Sequence, residues 1–165
     1  MFRLTMRIFK TLFAVVFFLS ISVSTVFAYN TEYVCKSEIA SGFIYSSVVK
    51  KWNGVHFEAN AKYVIRGARD DDFETELGKK YKGAKLVVYS VKGGQSLPPK
   101  LFCTGYDVHG FTHCEGLSET LRFNNQSMRF LSVFSSGYVL SGEALQRGLD
   151  GAETPMLVIG KCKTL

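Results

Sequence analysis

Apolar and polar positions divide the chain into two unlike parts. In the first 28 residues, Arg3, Arg7 and Lys10 precede an apolar run from Leu12 to Ile21, which leads to Val26-Phe27-Ala28. A positive start, a short apolar stretch and small residues at −3 and −1 predict a secretory leader cleaved between Ala28 and Tyr29. The run is too short for a spanning helix of ~20 residues, and Ser20, Ser22, Ser24 and Thr25 dilute the segment around its end. Cys35 is preceded by Glu32-Tyr33-Val34 rather than by small residues, so no lipid attachment is expected.

After Tyr29 the pattern changes to short segments rich in Val, Ile, Tyr, Phe and Thr, punctuated by Gly, Asn, Asp and Pro. Lys62–Arg66 reads as a strand with a buried centre. Phe73–Leu77 alternates with period two, and a turn at Ala68–Asp72 would join these segments as a hairpin with Glu74 and Glu76 facing solvent. Further strands are expected at Lys85–Val91, Leu101–Cys103, Phe111–Cys114, Thr120–Phe123, Met128–Phe134 and Pro155–Gly160. Pro98-Pro99 should exclude regular structure between two of them. A short helix fits Glu143–Gln146, and another fits Ser37–Ser47, where the periodicity is ambiguous. Residues 29–165 therefore predict one all-β domain, a small antiparallel β-barrel or sandwich with at most one or two short helices.

Length and charge narrow the class. The 137 residues after the leader suit a single domain with its own core. The leader carries three Lys/Arg and no acid, so its removal lowers the formal charge from +6 to +3. That balance is too mild for a nucleic-acid footprint. Four cysteines in an exported chain imply disulfides, with three connectivities open. Cys103 and Cys114 flank a turn-rich loop, and Cys35 and Cys162 lie near opposite ends. Order along the chain favours Cys35–Cys162 and Cys103–Cys114 as the two staples.

Spaced signatures run through the mature chain: Tyr33-Val34-Cys35, Gly42-Phe43, Trp52 ahead of Phe57, Lys62-Tyr63-Val64-Ile65-Arg66, Phe102-Cys103 and Phe111 to Gly116. Arg129-Phe130 comes next, then Thr154-Pro155 leading to Ile159-Gly160-Lys161-Cys162. Together they resemble a group of small exported proteobacterial proteins of unknown function. The resemblance covers nearly the whole mature chain and implies a bacterial, periplasmic or secreted protein, but it carries over no activity. A looser likeness to periplasmic lysozyme inhibitors of the small β-barrel type rests on Tyr33–Cys35 and general architecture, and is a fold-level analogy.

Candidate chemistry is sparse. His109 and His113 beside Cys103 and Cys114 have zinc-ligand residue types, but on a strand residues four apart stand ~13 Å apart. A Cys103–Cys114 bond would also remove both thiolates, so no metal is expected. Asp70-Asp71-Asp72 with Glu74 and Glu76 lacks the spacing of a calcium loop: the sixth and twelfth positions are Thr75 and Tyr81. Lys79-Lys80-Tyr81-Lys82 and Lys85 read as a solvated loop balanced by those acids, or as a contact for envelope phosphates. Phe57, Tyr63, Phe102, Phe111, Phe123, Phe130, Phe134 and Tyr138 are expected to fill the interior. Trp52, after Lys50-Lys51, sits where an exposed aromatic would mark binding. Asn125-Gln126-Ser127 matches a glycosylation sequon of relevance only in a eukaryotic secretory pathway.

No Gly-x-Ser-x-Gly elbow, phosphate-binding Gly-rich loop or Cys-x-x-Cys occurs. No catalytic residue and no cofactor is assigned. Three readings remain. The first is a non-catalytic binding or interaction protein contacting a cell-envelope component or another protein, with no nucleic acid and no stable membrane insertion. The second is an inhibitor of a wall-degrading enzyme, with the loop carrying Tyr106, Asp107 and His109 as its contact. The third is a small hydrolase whose site combines His56, His109 or His113 with a carboxylate.

Overall fold

Strand alternation is realised almost throughout the computed structural model, which describes residues 31–46, 48–92, 94–135 and 154–165. The leader, the Ala28–Tyr29 cleavage point, Tyr138 and the helix expected at Glu143–Gln146 lie outside the described residues. Nine strands are described: β1 Tyr33–Ser46, β2 Lys51–Phe57, β3 Lys62–Gly67, β4 Leu86–Lys92, β5 Gln95–Cys103, β6 Phe111–Glu115, β7 Glu119–Asn124, β8 Arg129–Phe134 and β9 Met156–Thr164. Every pairing is antiparallel. β1 and β3–β9 pair in sequence, and β9 pairs back onto β1, closing an eight-stranded barrel. It is a barrel and not a sandwich, and closure leaves those eight strands without a free edge.

β1 is longer than the barrel needs. On one side it pairs with β9 from Tyr33 to Gly42. On the other, Tyr33–Lys36 pairs with β3 and Ala40–Ser46 with β2, so the β1–β2 hairpin projects beyond the barrel wall. The helix expected over Ser37–Ser47 is absent. A bulge between Ser37 and Ile39 inserts Glu38, places Glu38 and Ile39 both outward, and breaks the period-two signal that would have marked a strand. Gly160 permits the close approach of β9 here. A Cβ on it would stand 2.2 Å from the Lys36 carbonyl oxygen and 2.6 Å from Cε1 of Phe130.

The interior is filled by side chains from all around the barrel, among them Ile65, Leu86, Val88, Leu101, Leu121, Phe123, Phe130 and Val158. Tyr33 meets Phe123 edge-on at 4.9 Å, and Tyr63 meets Phe130 at 5.5 Å. Both expected disulfides are present. Cys35–Cys162 joins β1 to β9, and Cys103–Cys114 joins β5 to β6.

The expected hairpin between Lys62–Arg66 and Phe73–Leu77 does not form. Lys62–Gly67 is β3, but a 3-10 turn at Asp70–Phe73 and a short helix, α1 Glu76–Lys80, come after it. Thr75 caps α1 by accepting from the Gly78 amide at 3.0 Å. Phe73 and Tyr81 lie 6.0 and 5.3 Å from the Phe102 ring, so this connection roofs the outer face of β4–β5, where Val87 and Phe102 are buried. Five alternating residues fit a strand equally well; the need to cover Phe102 decides against it.

Asp72, expected in a solvated turn, is only 3% exposed. Its carboxylate takes a bidentate pair from Arg66 at 2.8 and 2.9 Å, the Arg69 amide at 2.8 Å, and the Tyr89 hydroxyl. Burial opposes its charge, but these donors outweigh burial and hold the Asp72 carboxyl below the usual carboxylate range. Burial and the bond to Asp72 push the Tyr89 hydroxyl upward.

Pro98 and Pro99 do not interrupt β5. They lie where the β4–β5 register shifts at Tyr89, so no regular ladder bond is lost to their missing N–H groups. Among the expected interior aromatics, Phe102 is buried outside the barrel wall beneath α1, and Phe111 is half-exposed.

Candidate functional site

Side chains that alternate away from the core form a two-part outer face on β7, β8, β9 and β1. Toward one end of the barrel, Ile39 pairs with Ile159, Ile159 with Leu131, and Leu157 with Val133. Ile39, Leu157 and Ile159 remain 54%, 45% and 37% exposed, and Phe43 on the projecting part of β1 is 53% exposed. Toward the other end the same rows become cationic. Lys161 is opposite both Lys36 and Arg129, and Lys163 is opposite Val34, while Arg122, opposite Leu131, flanks the apolar row on its β7 side. Acids adjoin this band: Glu38, on the bulge, pairs with Lys161 at 2.9 Å, and Asp107 lines a hollow with Arg122. An apolar patch bordered by a cation band is an amphipathic surface.

The apolar half deepens into an open groove of about 620 Å³ lined by Phe43, Trp52, Val133, Pro155, Met156 and Leu157. Trp52 packs on Tyr45 across the hairpin at 5.5 Å. The Trp52 side chain thus lies in a strand at the groove rather than in a loop. On the same rim, Ser41 Oγ and His56 Nδ1 are 2.8 Å apart and exposed to solvent.

Inside the barrel, Glu119 at the start of β7 is 4% exposed. Its Oε1 accepts from Tyr63 at 3.1 Å and from Ser132, and its Oε2 forms an ion pair with Lys100. Burial, then the Glu119 charge, raises the Tyr63 phenol well above its ordinary value. This cluster ties β3, β5, β7 and β8 together across the core. Sequence reading missed it, because no linear spacing marks four residues from four strands.

The disulfide loop between β5 and β6 is held rigidly. Asp107 Oδ1 accepts from the amides of His109 and Phe111 at 2.9 and 2.8 Å. Asn124 donates to the His109 carbonyl at 2.7 Å, and Thr112 to the Thr104 carbonyl at 2.8 Å. Gly110 holds a φ of 76°, where a Cβ would meet Asn125 Oδ1 at 2.3 Å. Asp107 and His109 are exposed, but Tyr106 turns inward against the core, 6.3 Å from the Phe123 ring. Val108, 90% exposed, stands at the tip between Asp107 and His109, and Tyr106 does not join them as an outward contact residue.

His113 Nε2 lies 3.1 Å from Glu115 in an open depression of about 350 Å³ shared with Tyr81 and Lys82. His109 is in the turn and not part of that pair. Cys103 and Cys114 are bonded to each other, so they offer no thiolate to either histidine. Among the described residues, no three His, Cys, Asp or Glu side chains converge as a metal site. No described helix is long and apolar enough to cross a membrane.

No family model, curated protein or solved structure matches the chain. Fold and faces define a class nonetheless: a closed antiparallel barrel stapled by two disulfides, as chains that fold in an oxidising compartment are.

Proposed function

We propose that this chain is an exported, periplasmic interaction protein, non-catalytic, whose outer β7–β8–β9–β1 face rests on an anionic lipid surface of the cell envelope. The observation that carries this reading is the apolar patch of Ile39, Phe43, Leu157 and Ile159 set beside Lys36, Arg122, Arg129, Lys161 and Lys163. The charge after leader removal is only +3, so gathering five cations on one face concentrates attraction there. Each cation near an anionic leaflet contributes about 1 kcal/mol. Four half-exposed apolar side chains add roughly 1 kcal/mol each on leaving water. These magnitudes favour reversible contact over insertion. The leader and its cleavage at Ala28–Tyr29 supply the export step in this reading.

Trp52, the chain's single tryptophan, borders the apolar groove and reports on it. Titrating the mature protein with anionic vesicles is expected to shift its emission to the blue. Zwitterionic vesicles are expected to leave it unchanged, and an identical response to both would overturn the reading.

The rigid β5–β6 loop favours a second reading, inhibition of a wall-degrading enzyme. Its Asp107-centred hydrogen bonds hold Val108 outward and lower the ordering cost of entering a cleft. Retention of lysozyme inhibition by the wild type and its loss in Val108→Asp would support this; no inhibition by either would remove it.

A further inference from the structure

Closure of the barrel leaves one described strand outside it. β2 pairs with β1 alone, and no described strand covers its other edge. Natural sheets protect such edges with prolines, bulges or charges along the strand. β2 has none of these from Trp52 to Phe57: the run is Trp-Asn-Gly-Val-His-Phe, and its pairing with β1 is free of register shifts. Charge is confined to the two ends, Lys50 and Lys51 before the run and Glu58 after it.

We propose that two copies of this chain associate by pairing their β2 strands antiparallel about Gly54. This goes beyond the lipid-contact reading and does not depend on it. Pairing about Gly54 sets Lys51 opposite Phe57, Trp52 opposite His56, and Asn53 opposite Val55. It brings Lys50 of each copy, in the turn before β2, toward Glu58 of the other, so this complementary pair is satisfied twice by one two-fold axis. No shift of register matches both ends as well.

Side-chain volumes agree with this arrangement. A Cβ on Gly54 would meet nothing within 4 Å, so the space over the two-fold axis is open. Trp52 shares a face with Gly54 and stands diagonal to the second copy's glycine, where a large ring shields an edge glycine. The hairpin's exposed Phe43, on that same face, extends the apolar surface toward the joint. A second copy fits this edge better than an arbitrary strand because it alone guarantees the opposite charge at both ends.

Sedimentation of the mature protein over a wide concentration range tests the proposal. A reversible monomer–dimer equilibrium is expected. Gly54→Lys places two ammonium groups face to face and is expected to weaken the dimer by more than roughly tenfold. Its folding is checked by circular dichroism. Should that variant fail to fold, the charge series decides independently. Glu58→Lys alone is expected to weaken the dimer, as is Lys50→Glu with Lys51→Glu. All three together should restore it. A monomer at every concentration overturns the proposal, as does a dimer indifferent to Gly54→Lys or a triple variant no tighter than its parts.

Discussion

Cys35 and Cys162 stand directly opposite each other in the β1–β9 register and are bonded, so the first and last strands of the barrel are joined covalently. The other bond, Cys103–Cys114, also joins directly opposed residues. It lies in the β5–β6 ladder, which has only two residue pairs. The first disulfide thus secures the seam that closes the barrel, and the second the seam with the shortest ladder. One seam needs the two chain ends brought together; the other has few ladder bonds.

The bridges should differ in worth. They span 127 and 11 residues, for which chain entropy gives about 5 and about 3 kcal/mol. Guanidinium unfolding of Cys35→Ser/Cys162→Ser and of Cys103→Ser/Cys114→Ser is expected to show the larger loss for the first pair. Equal losses would contradict the role assigned to β1–β9 closure.

Asp72 anchors the connection over Phe102. Asp72→Ala leaves the Arg66 guanidinium largely buried without its carboxylate, and a loss of about 3 kcal/mol is expected. The exposed Glu76–Lys79 pair is the control, with Glu76→Ala changing stability by less than about 0.5 kcal/mol. Sign follows from the lowered Asp72 pKa. Its contribution is fully present above the unfolded carboxyl value of ~3.9 and is lost as pH falls through the lower folded value. Asp72→Asn should therefore flatten the acid limb of a stability–pH curve.

The alkaline limb has the opposite origin. Tyr63 and Tyr89 are both raised, so the stability they contribute is present below ~10 and is lost as pH climbs beyond it. Ultraviolet titration should show two late-ionising tyrosines, Tyr63 and Tyr89, whose ionisation accompanies unfolding. Tyr63→Phe and Tyr89→Phe should each remove one late-ionising group. Ionisation of all tyrosines in one early step would sink this assignment.

Gly160 has no room for a side chain against Lys36 and Phe130. Gly160→Ala is expected to destabilise by about 1–3 kcal/mol, since either β1 or the Phe130 ring must move. Gly54→Ala, in open space, serves as the comparison and should change stability little.

Much of the barrel was legible because its signals are local. A run of β-branched and aromatic residues marks Leu86–Lys92, period-two alternation marks Glu119–Asn124, and cysteine order gives both bonds. Where tertiary demands outweigh local pattern, the sequence misleads. The bulged Glu38 hides β1, and burial of Phe102 turns a strand-like Phe73–Leu77 into a roof. The amphipathic face was not legible at all. Lys36, Arg122, Arg129 and Lys161 come from four strands, and only register makes them neighbours. The basic run Lys79–Lys82, conspicuous in the sequence, belongs instead to α1 and the turn after it, away from that face.

The most direct test of the proposed role is flotation of the mature protein with vesicles of anionic or zwitterionic lipid. The wild type should float with anionic vesicles, less so as salt is raised. Two variants report on the two halves of the face: Lys36→Glu with Lys161→Glu, and Leu157→Ser with Ile159→Ser. Each should remain at the bottom of the gradient while keeping the wild-type fold. Wild-type protein that never floats, or variants that float as it does, would contradict lipid contact through this face.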